Sequence, residues 1–438
     1  MNEQALPTYD VAVLGGGPAG AIAAAHLARR GRRVLVLERE RFPRFHIGES
    51  LLATCNEVFD AVGLGEKVRA AGFPVKRGAT FISHDGVHDR YADFSASPEL
   101  TVPRAWQVER ARFDQLLLGH AAECGAEVRE EHRVLGCELD EGGVTLSARD
   151  PAGVLLTVRA TLVVDASGRA GLLARQLGLR RDDPQLSNVA IYGYYRGVPP
   201  LAGARSGDIR IVARRDAGWF WVIPLAEDLM SVGVVLPREL FDRLPRGSHE
   251  GMLRHAVAEA PAMVELMRRA EPVREARVEK EYSYTTSAYA GERWLLAGDA
   301  GSFLDPVFSS GVSVALESGL EAAQAADAAL ARGGRSARAF HRFEARQRAR
   351  YAVFRRFVLA FYTASFRDLF FQPAASPTFF RAVVTVLGGR WRPTLPTRLV
   401  IGLFFVIVRL QRRFDLAPRI YPRDADGRAR LAGSPFVG

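Results

Sequence analysis

The chain has 438 residues, 48% of them hydrophobic and 25% charged, with a formal net charge of +10. That composition excludes a disordered or fibrous chain and provides for a large buried core, in two domains or one elaborated one. Cys55, Cys124 and Cys137, the only cysteines, are spaced irregularly, which argues against a disulfide framework and against zinc, and no metal is expected; the positive charge points to acidic partners, and with no nucleic-acid motif in the sequence DNA or RNA is not the expected one.

The first residues, MNEQALPTYD, carry no basic, apolar leader, so the expected location is the cytoplasm. YDVAVL at 9–14 reads as a short buried strand, followed by GGGPAG at 15–20, an alanine-rich helix over 21–29 and a second strand, RVLVLE, at 33–38. Gly15, Gly17 and Gly20 fit the G-x-G-x-x-G spacing. The first allows the tight turn, the second lets backbone approach a pyrophosphate, and the third lets helix and strand pack closely. Phosphates then sit at a helix N-terminus, where free N–H groups and the dipole favour anions. Glu38 ends the second strand and can accept from ribose hydroxyls. The expected cofactor-binding residues of this segment are Gly15, Gly17, Pro18, Ala19, Gly20, Glu38 and Arg39, and the pattern suits FAD and NAD alike. No second such fingerprint occurs, so nothing marks a dedicated nicotinamide domain.

From 185 to 290 apolar and polar residues alternate in several runs, DIRIVA (208–213) and MSVGVVL (230–236) among them, which predicts antiparallel strands over the cofactor. Inside this stretch GWFWVIP, 218–224, puts Trp219 and Trp221 on one face of a strand, a broad and stiff wall. Residues 336–365 predict an arginine-rich helix, read as a solvated face or as a docking face for an acidic carrier. LVIGLFFVIV, 399–408, is about half the length a bilayer span needs. With Arg398, Arg409, Arg412 and Arg413 beside it, a buried helix closing the site is the favoured reading, and a helix lying on a membrane surface the other. Of the 59 basic residues only Lys67, Lys76 and Lys280 are lysine, so a lysine marks a place where arginine will not serve.

Several segments carry a resemblance. LLAGDAGSFLDPVFSSGVSVALESGLEAA, 295–323, resembles the second FAD motif of the aromatic-hydroxylase-like flavoenzymes, which implies FAD as cofactor, Asp299 at its ribityl chain and Pro306 beside it. LVVDASGRAGLLAR, 162–175, is similar to that group's intermediate motif around Asp165 and Gly168, and QVERARFDQLL, 107–117, to its arginine-containing helix start, with Arg110 near the cofactor. W-x-W-x-I-P, carried by Trp219, Trp221, Ile223 and Pro224, is similar to the signature of the flavin-dependent halogenases, where it lines the passage beside the flavin. FPRFHIGESLL, 42–52, resembles a segment shared by halogenases and geranylgeranyl reductases and adds Arg44, Gly48, Glu49 and Ser50 to the flavin surroundings. FPVKRGATF, 73–81, resembles the segment that holds the family's essential lysine, here Lys76.

The resemblance implies an α/β fold: a Rossmann-like FAD-binding domain, an inserted and mostly antiparallel substrate sheet, and a helical C-terminal region. The implied segments are 1–105 (first FAD segment and start of the substrate region), 106–184 (second FAD segment), 185–290 (substrate sheet), 291–345 (third FAD segment) and 346–438 (helical region). The implied reaction is FADH2- and O2-dependent halogenation. Chloride or bromide is held by the backbone N–H groups of Ser310 and Gly311, and hypohalous acid passes the tryptophans to Lys76 and on to a small aromatic substrate, a phenol or pyrrole. Lysine suits that task because burial can strip its proton, which arginine keeps. A separate flavin reductase supplies the reduced cofactor, and an acyl or peptidyl carrier protein is the implied partner that presents the ring. Tryptophan halogenases carry a glutamate where this chain has Phe308, which favours the phenol and pyrrole types. The alternative on the same scaffold is a flavin-dependent aromatic monooxygenase or a geranylgeranyl-reductase-like alkene reductase, either of which turns over without halide.

Overall fold

β1 (Thr8–Leu14) is apolar on both faces: Val11 and Val13 enter one core, Ala12 and Leu14 another. A strand covered on both sides belongs inside a parallel sheet. In the computed structural model α1 (Pro18–Arg29) buries its alanines and returns the chain as β2 (Val34–Leu37), parallel to β1. The chain then crosses to a second sheet through β3 (Val75–Lys76) and β4 (Gly78–Ile82). It comes back along α2 (Arg110–Glu123) and places β5 (Leu155–Asp165) on the other side of β1, again parallel, with Val13 opposite Val164. β6 (Arg180–Arg196), β7 (Ile209–Ala213), β8 (Trp219–Ala226), β9 (Leu229–Pro237) and β10 (Glu271–Thr286) build most of the second sheet, and β11 (Trp294–Leu296) rejoins the first beside β5. The structure describes residues 8–333, 337–372 and 376–422; the extreme ends of the first and last expected segments lie outside them.

The first sheet, of eight strands, therefore has the parallel centre β11-β5-β1-β2; the second, of seven, runs β10-β6-β9-β8-β7-β4 and ends on residues 89–93. Its neighbours are antiparallel apart from β7 and β4, so the sheet expected over 185–290 takes its far edge from residues 78–93 as well.

The C-terminal part is helical: α3 (Ser310–Leu330), α4 (Ala337–Phe361), α5 (Ala364–Phe370), α6 (Pro377–Leu387) and α7 (Leu395–Phe414). Phenylalanines weld these helices to the second sheet. Phe81 of β4 meets Phe370 edge-on at 4.9 Å, and Phe357 meets Phe405 at 5.0 Å. Arg367, fully buried, donates to the carbonyls of Phe361, Arg214 and Asp216 and ties α5 to the turn before β8. The apolar run 399–408, expected to be buried, proves two-faced. It is the middle of a 20-residue helix in which Ile401, Phe404, Phe405 and Val408 are buried while Leu399, Leu403 and Val406 face out. Among the described residues no helix is long and apolar enough to cross a membrane.

Candidate active site

A cavity of about 580 Å³ lies at the carboxyl ends of β1, β2, β5 and β11, where the parallel sheet meets the second one. That is where open α/β sheets bind ligands. Gly15 opens it, at φ +101°; a Cβ there would stand 2.5 Å from the carbonyl oxygen of Ala166. A Cβ on Gly20 would stand 1.9 Å from the carbonyl oxygen of Gly15, so helix and turn touch backbone to backbone. Gly17 has no such constraint: its Cβ would meet nothing closer than Arg44 Nη2 at 3.5 Å, and it lines the cavity with Pro18 and Ala19 at the start of α1. Glu38 holds the turn, its Oε2 accepting from the Gly16 N–H at 2.6 Å and its Oε1 from the Glu40 N–H at 2.8 Å. Each oxygen keeps acceptor capacity for a ribose hydroxyl. Arg39, Gly168, Asp299 and Pro306 also line the space. Asp165 does not. Its carboxylate is fully buried and accepts from the N–H groups of Ser167 and Leu173, fixing the turn that presents Gly168.

The wall opposite the glycine turn comes from the second sheet. Along β8, Trp219, Trp221 and Ile223 face the cavity, while Phe220 and Val222 pack into the core behind the sheet. This is the two-residue period of a strand. The indoles stand 5.9 Å apart, centroid to centroid. Pro224 is out of phase and buried away from the cavity. Trp221 donates to Ser231 Oγ at 3.1 Å, and Trp219 to Tyr362 Oη at 2.9 Å. Tyr362 in turn donates to Asp305 Oδ2 at 2.7 Å, to which Asn188 also donates at 2.6 Å. Asp305 begins the loop 306–311 and caps it, its Oδ1 accepting from the Val307 N–H. One carboxylate thus joins the indole wall, the loop and the end of α4. In that loop Ser309 sits at φ +57°, and Ser310 and Gly311 form the first turn of α3. N–H groups there lack an intrahelical acceptor, and Ser309 gives no side-chain cap. Gly311 lines the cavity; the Ser310 side chain is buried behind it.

Arg110 shapes the remaining wall. It pairs bidentately with Asp114, at 2.8 Å for both Nε and Nη2, and donates to the carbonyls of Ile47 and Gly48. Arg44 donates to the same Asp114 at 2.9 Å. This buried triad sets the turn 47–50, which carries Glu49 and Ser50 into the cavity wall. Glu49 is buried; its Oε1 accepts from Tyr194 at 2.7 Å, and burial pushes its carboxyl up to about 7 against the opposing hydrogen bonds of Ser231 and Tyr194.

Lys76 stands directly behind Ser50. Its side chain is 1% exposed, and its Nζ donates to Ser50 Oγ at 2.8 Å and to the Leu51 carbonyl at 2.9 Å. Burial brings the amine down to about 7. Its contact with the cavity runs through the Ser50 hydroxyl.

An FAD-binding domain model matches residues 8–355. A flavin-dependent halogenase, armH3, of Armillaria mellea is 38% identical over 351 residues, covering 75% of this chain and 69% of the relative. The chain belongs to the flavin-dependent halogenases. The halogenase is also 35% identical over 333 residues to the 1H-pyrrole-2-carbonyl-(peptidyl-carrier protein) chlorinase of Pseudomonas fluorescens, with 71% of this chain and 74% of that one covered. The solved myxobacterial chondrochloren halogenase CndH superposes with a TM-score of 0.77 at 36% identity, over 92% of this chain and 97% of that chain. The halogenase thus uses FADH2, O2 and a halide to halogenate aromatic compounds, and the monooxygenase and alkene-reductase alternatives fall away.

Three features of the halogenase's site are not among those the sequence predicts: the Asp114 carboxylate shared by two arginines, the Tyr194–Glu49 pair, and the Asp305–Tyr362–Trp219 relay. Only the first had a local signal, since Arg110 and Asp114 stand i, i+4 on one helix. Phe308 points into the phenylalanine cluster, against Phe81, Phe357 and Phe361. The relay yields a test. Tyr362→Phe removes the acceptor of two buried donors, Trp219 Nε1 and Asn188 Nδ2, each at 2.9 Å, at a cost of about 1–3 kcal/mol in stability, and releases the Trp219 indole. FAD affinity is expected to stay unchanged, while the ratio of halogenated product to NADH consumed falls severalfold in a reductase-coupled assay. An unchanged ratio would show that the indole needs no anchor.

Proposed function

We propose that this halogenase chlorinates a phenol- or pyrrole-type ring presented on an acyl or peptidyl carrier protein, with Lys76 receiving the hypohalous acid and a separate flavin reductase supplying reduced cofactor in the cytoplasm. The observation that carries this reading is the setting of Lys76. It is a buried amine whose two hydrogen-bond partners are a carbonyl and a hydroxyl, neither of them a carboxylate that would hold its proton. Such a nitrogen is neutral in a large fraction of molecules near pH 7, and it stands one hydroxyl away from the cavity.

Gly15, Gly17, Gly20 and the start of α1 would hold the pyrophosphate of FAD, Glu38 and Arg39 the adenosine side, and Asp299 and Pro306 the flavin side, within a frame set by Arg44, Gly48, Arg110, Asp165 and Gly168. When bound, reduced FAD together with O2 supplies the oxidising power that turns halide into hypohalous acid. The chain's own residues do the rest. The N–H groups of Ser310 and Gly311 hold chloride or bromide at the uncapped start of α3. Trp219, Trp221 and Ile223 keep an organic ring away from the flavin side of the cavity, so a small ion is what gets oxidised there. Glu49 holds or releases a proton at Oε2. Lys76 Nζ, hydrogen-bonded to Ser50, holds the hypohalous acid and aims it at an electron-rich ring, whose carbon takes the halogen as the halogen–oxygen bond breaks, the oxygen leaving as water with the ring proton. The carrier is supported by the pyrrole–carrier-protein chlorinase among the relatives and by the net charge of +10, which suits an acidic partner.

The test supplies FAD, a flavin reductase, NADH, O2 and chloride or bromide to free and carrier-bound phenols and pyrroles, with mass spectrometry of the products. A halogen isotope pattern on carrier-bound rings is the expected result. Halogenation of free rings alone would remove the carrier from the proposal.

A further inference from the structure

α7 is fixed at both ends. Glu99 accepts from Thr394 and Thr397 at its start, and Gln411 exchanges two hydrogen bonds with Ala417 at its end. Its inner face is packed on the phenylalanine cluster through Phe404 and Phe405. Its outer face is nevertheless apolar. Leu395, Leu399, Leu403, Val406, Leu410 and Phe414 are 40–66% exposed. At 100° per residue they fall on one stripe about 100° wide, and it runs about 30 Å, the length of the helix. Arg398, Arg409 and Arg412 are exposed along one side of the stripe and Arg413 on its edge; residues 395–414 include no acidic side chain, and Asp415, which follows, is paired with Arg419.

We propose that this face docks on an anionic lipid bilayer, with α7 lying in the plane of the membrane surface. The combination of a long apolar stripe and exclusively basic charge is what an interfacial helix needs: apolar side chains enter the acyl boundary while arginines meet anionic headgroups. A second copy of the chain fits less well, because pairing the stripe with itself sets four arginines against four. An acidic protein fits less well too. Protein interfaces carry about one hydrogen bond per 100–200 Å², and of the side chains in the stripe only Arg413, at its edge, can make one.

The test is flotation of the full chain, loaded with FAD, on vesicles of phosphatidylcholine alone or mixed with phosphatidylglycerol. Wild type is expected to float with the mixed vesicles at low salt, to float less in high salt, and to remain below with phosphatidylcholine alone. The double variant Leu399→Gln, Leu403→Gln is expected to lose at least about tenfold in partitioning while keeping its flavin absorbance and melting temperature. Absence of flotation on anionic vesicles would overturn the proposal, and so would equal flotation of wild type and variant, which would assign binding to charge elsewhere. A dimer in solution that the double variant dissociates, or an acidic carrier whose binding it abolishes, without vesicle binding by wild type, would reassign the face and overturn it as well.

Discussion

Lys76→Met is expected to consume NADH and O2 at the wild-type rate, to within about twofold, and to form about 10² to 10⁴-fold less halogenated product, the range lost when a group acting on the reacting atom is removed. The substitution keeps the volume of a long unbranched chain. It leaves the Leu51 carbonyl without its partner, at a cost of about 1–3 kcal/mol, but it also removes an amine that burial disfavours in its charged form, so the protein should fold. Lys76→Arg serves as the contrast. It restores a cation at the same place and should be as inactive as methionine, because guanidinium does not deprotonate in a protein. The pH dependence has a definite sign. With the amine brought down to about 7, halogenation should rise between pH 6 and 8 as the neutral form fills, while flavin oxidation stays flatter. Stability should move the same way. Between about 7 and the ordinary lysine value the unfolded chain binds the proton that the folded chain rejects, so raising the pH through that window favours the fold. Product formed at a normal rate by the methionine variant would take Lys76 out of the reaction.

The parts of this site that could be read along the chain are those whose geometry is set by near neighbours. The glycine turn is legible because Gly15, Gly17 and Gly20 must lie within one strand–helix junction, and the indole wall because a strand repeats every two residues. The same rule puts Pro224 off the cavity face, since it is one residue out of phase with Trp219, Trp221 and Ile223. What could not be read depends on partners far apart in sequence. Tyr194 reaches Glu49 across 145 residues, and Tyr362 reaches Trp219 across 143. No periodicity announces such pairs; they exist because the sheets meet at the cavity and the C-terminal helices cover it. Asp165 is the opposite case. The motif around it is local and real, yet its carboxylate is committed to two backbone N–H groups rather than to the cavity. The run 399–408 taken alone favours a buried helix over one lying on a membrane surface, because ten apolar residues do not show which faces of the longer α7 are covered. The full helix is apolar on two faces, and only one of them has a neighbour.

Gly20→Ala is expected to yield a protein without flavin absorbance and with a melting temperature several degrees below wild type. On intrinsic propensity the change should help, since alanine stabilises a helix by about 1 kcal/mol over glycine. Contact geometry reverses the sign. The new Cβ would lie 1.9 Å from the Gly15 carbonyl oxygen and 3.2 Å from a methyl of Val13. Backbone on the far side cannot rotate away as a side chain can, so α1 must move off β1 and carry the cavity's anion-binding end with it. Overpacking of this kind costs about 1–3 kcal/mol or more. Gly17→Ala separates the two roles. Its Cβ meets only the flexible end of Arg44, so the fold and melting temperature of the free protein should hold. The methyl would instead occupy the space a pyrophosphate needs at the helix start, and FAD titration should show at least about tenfold weaker binding. If Gly17→Ala binds FAD like wild type, the cofactor's phosphates do not lie over this turn, however well the turn is shaped for them.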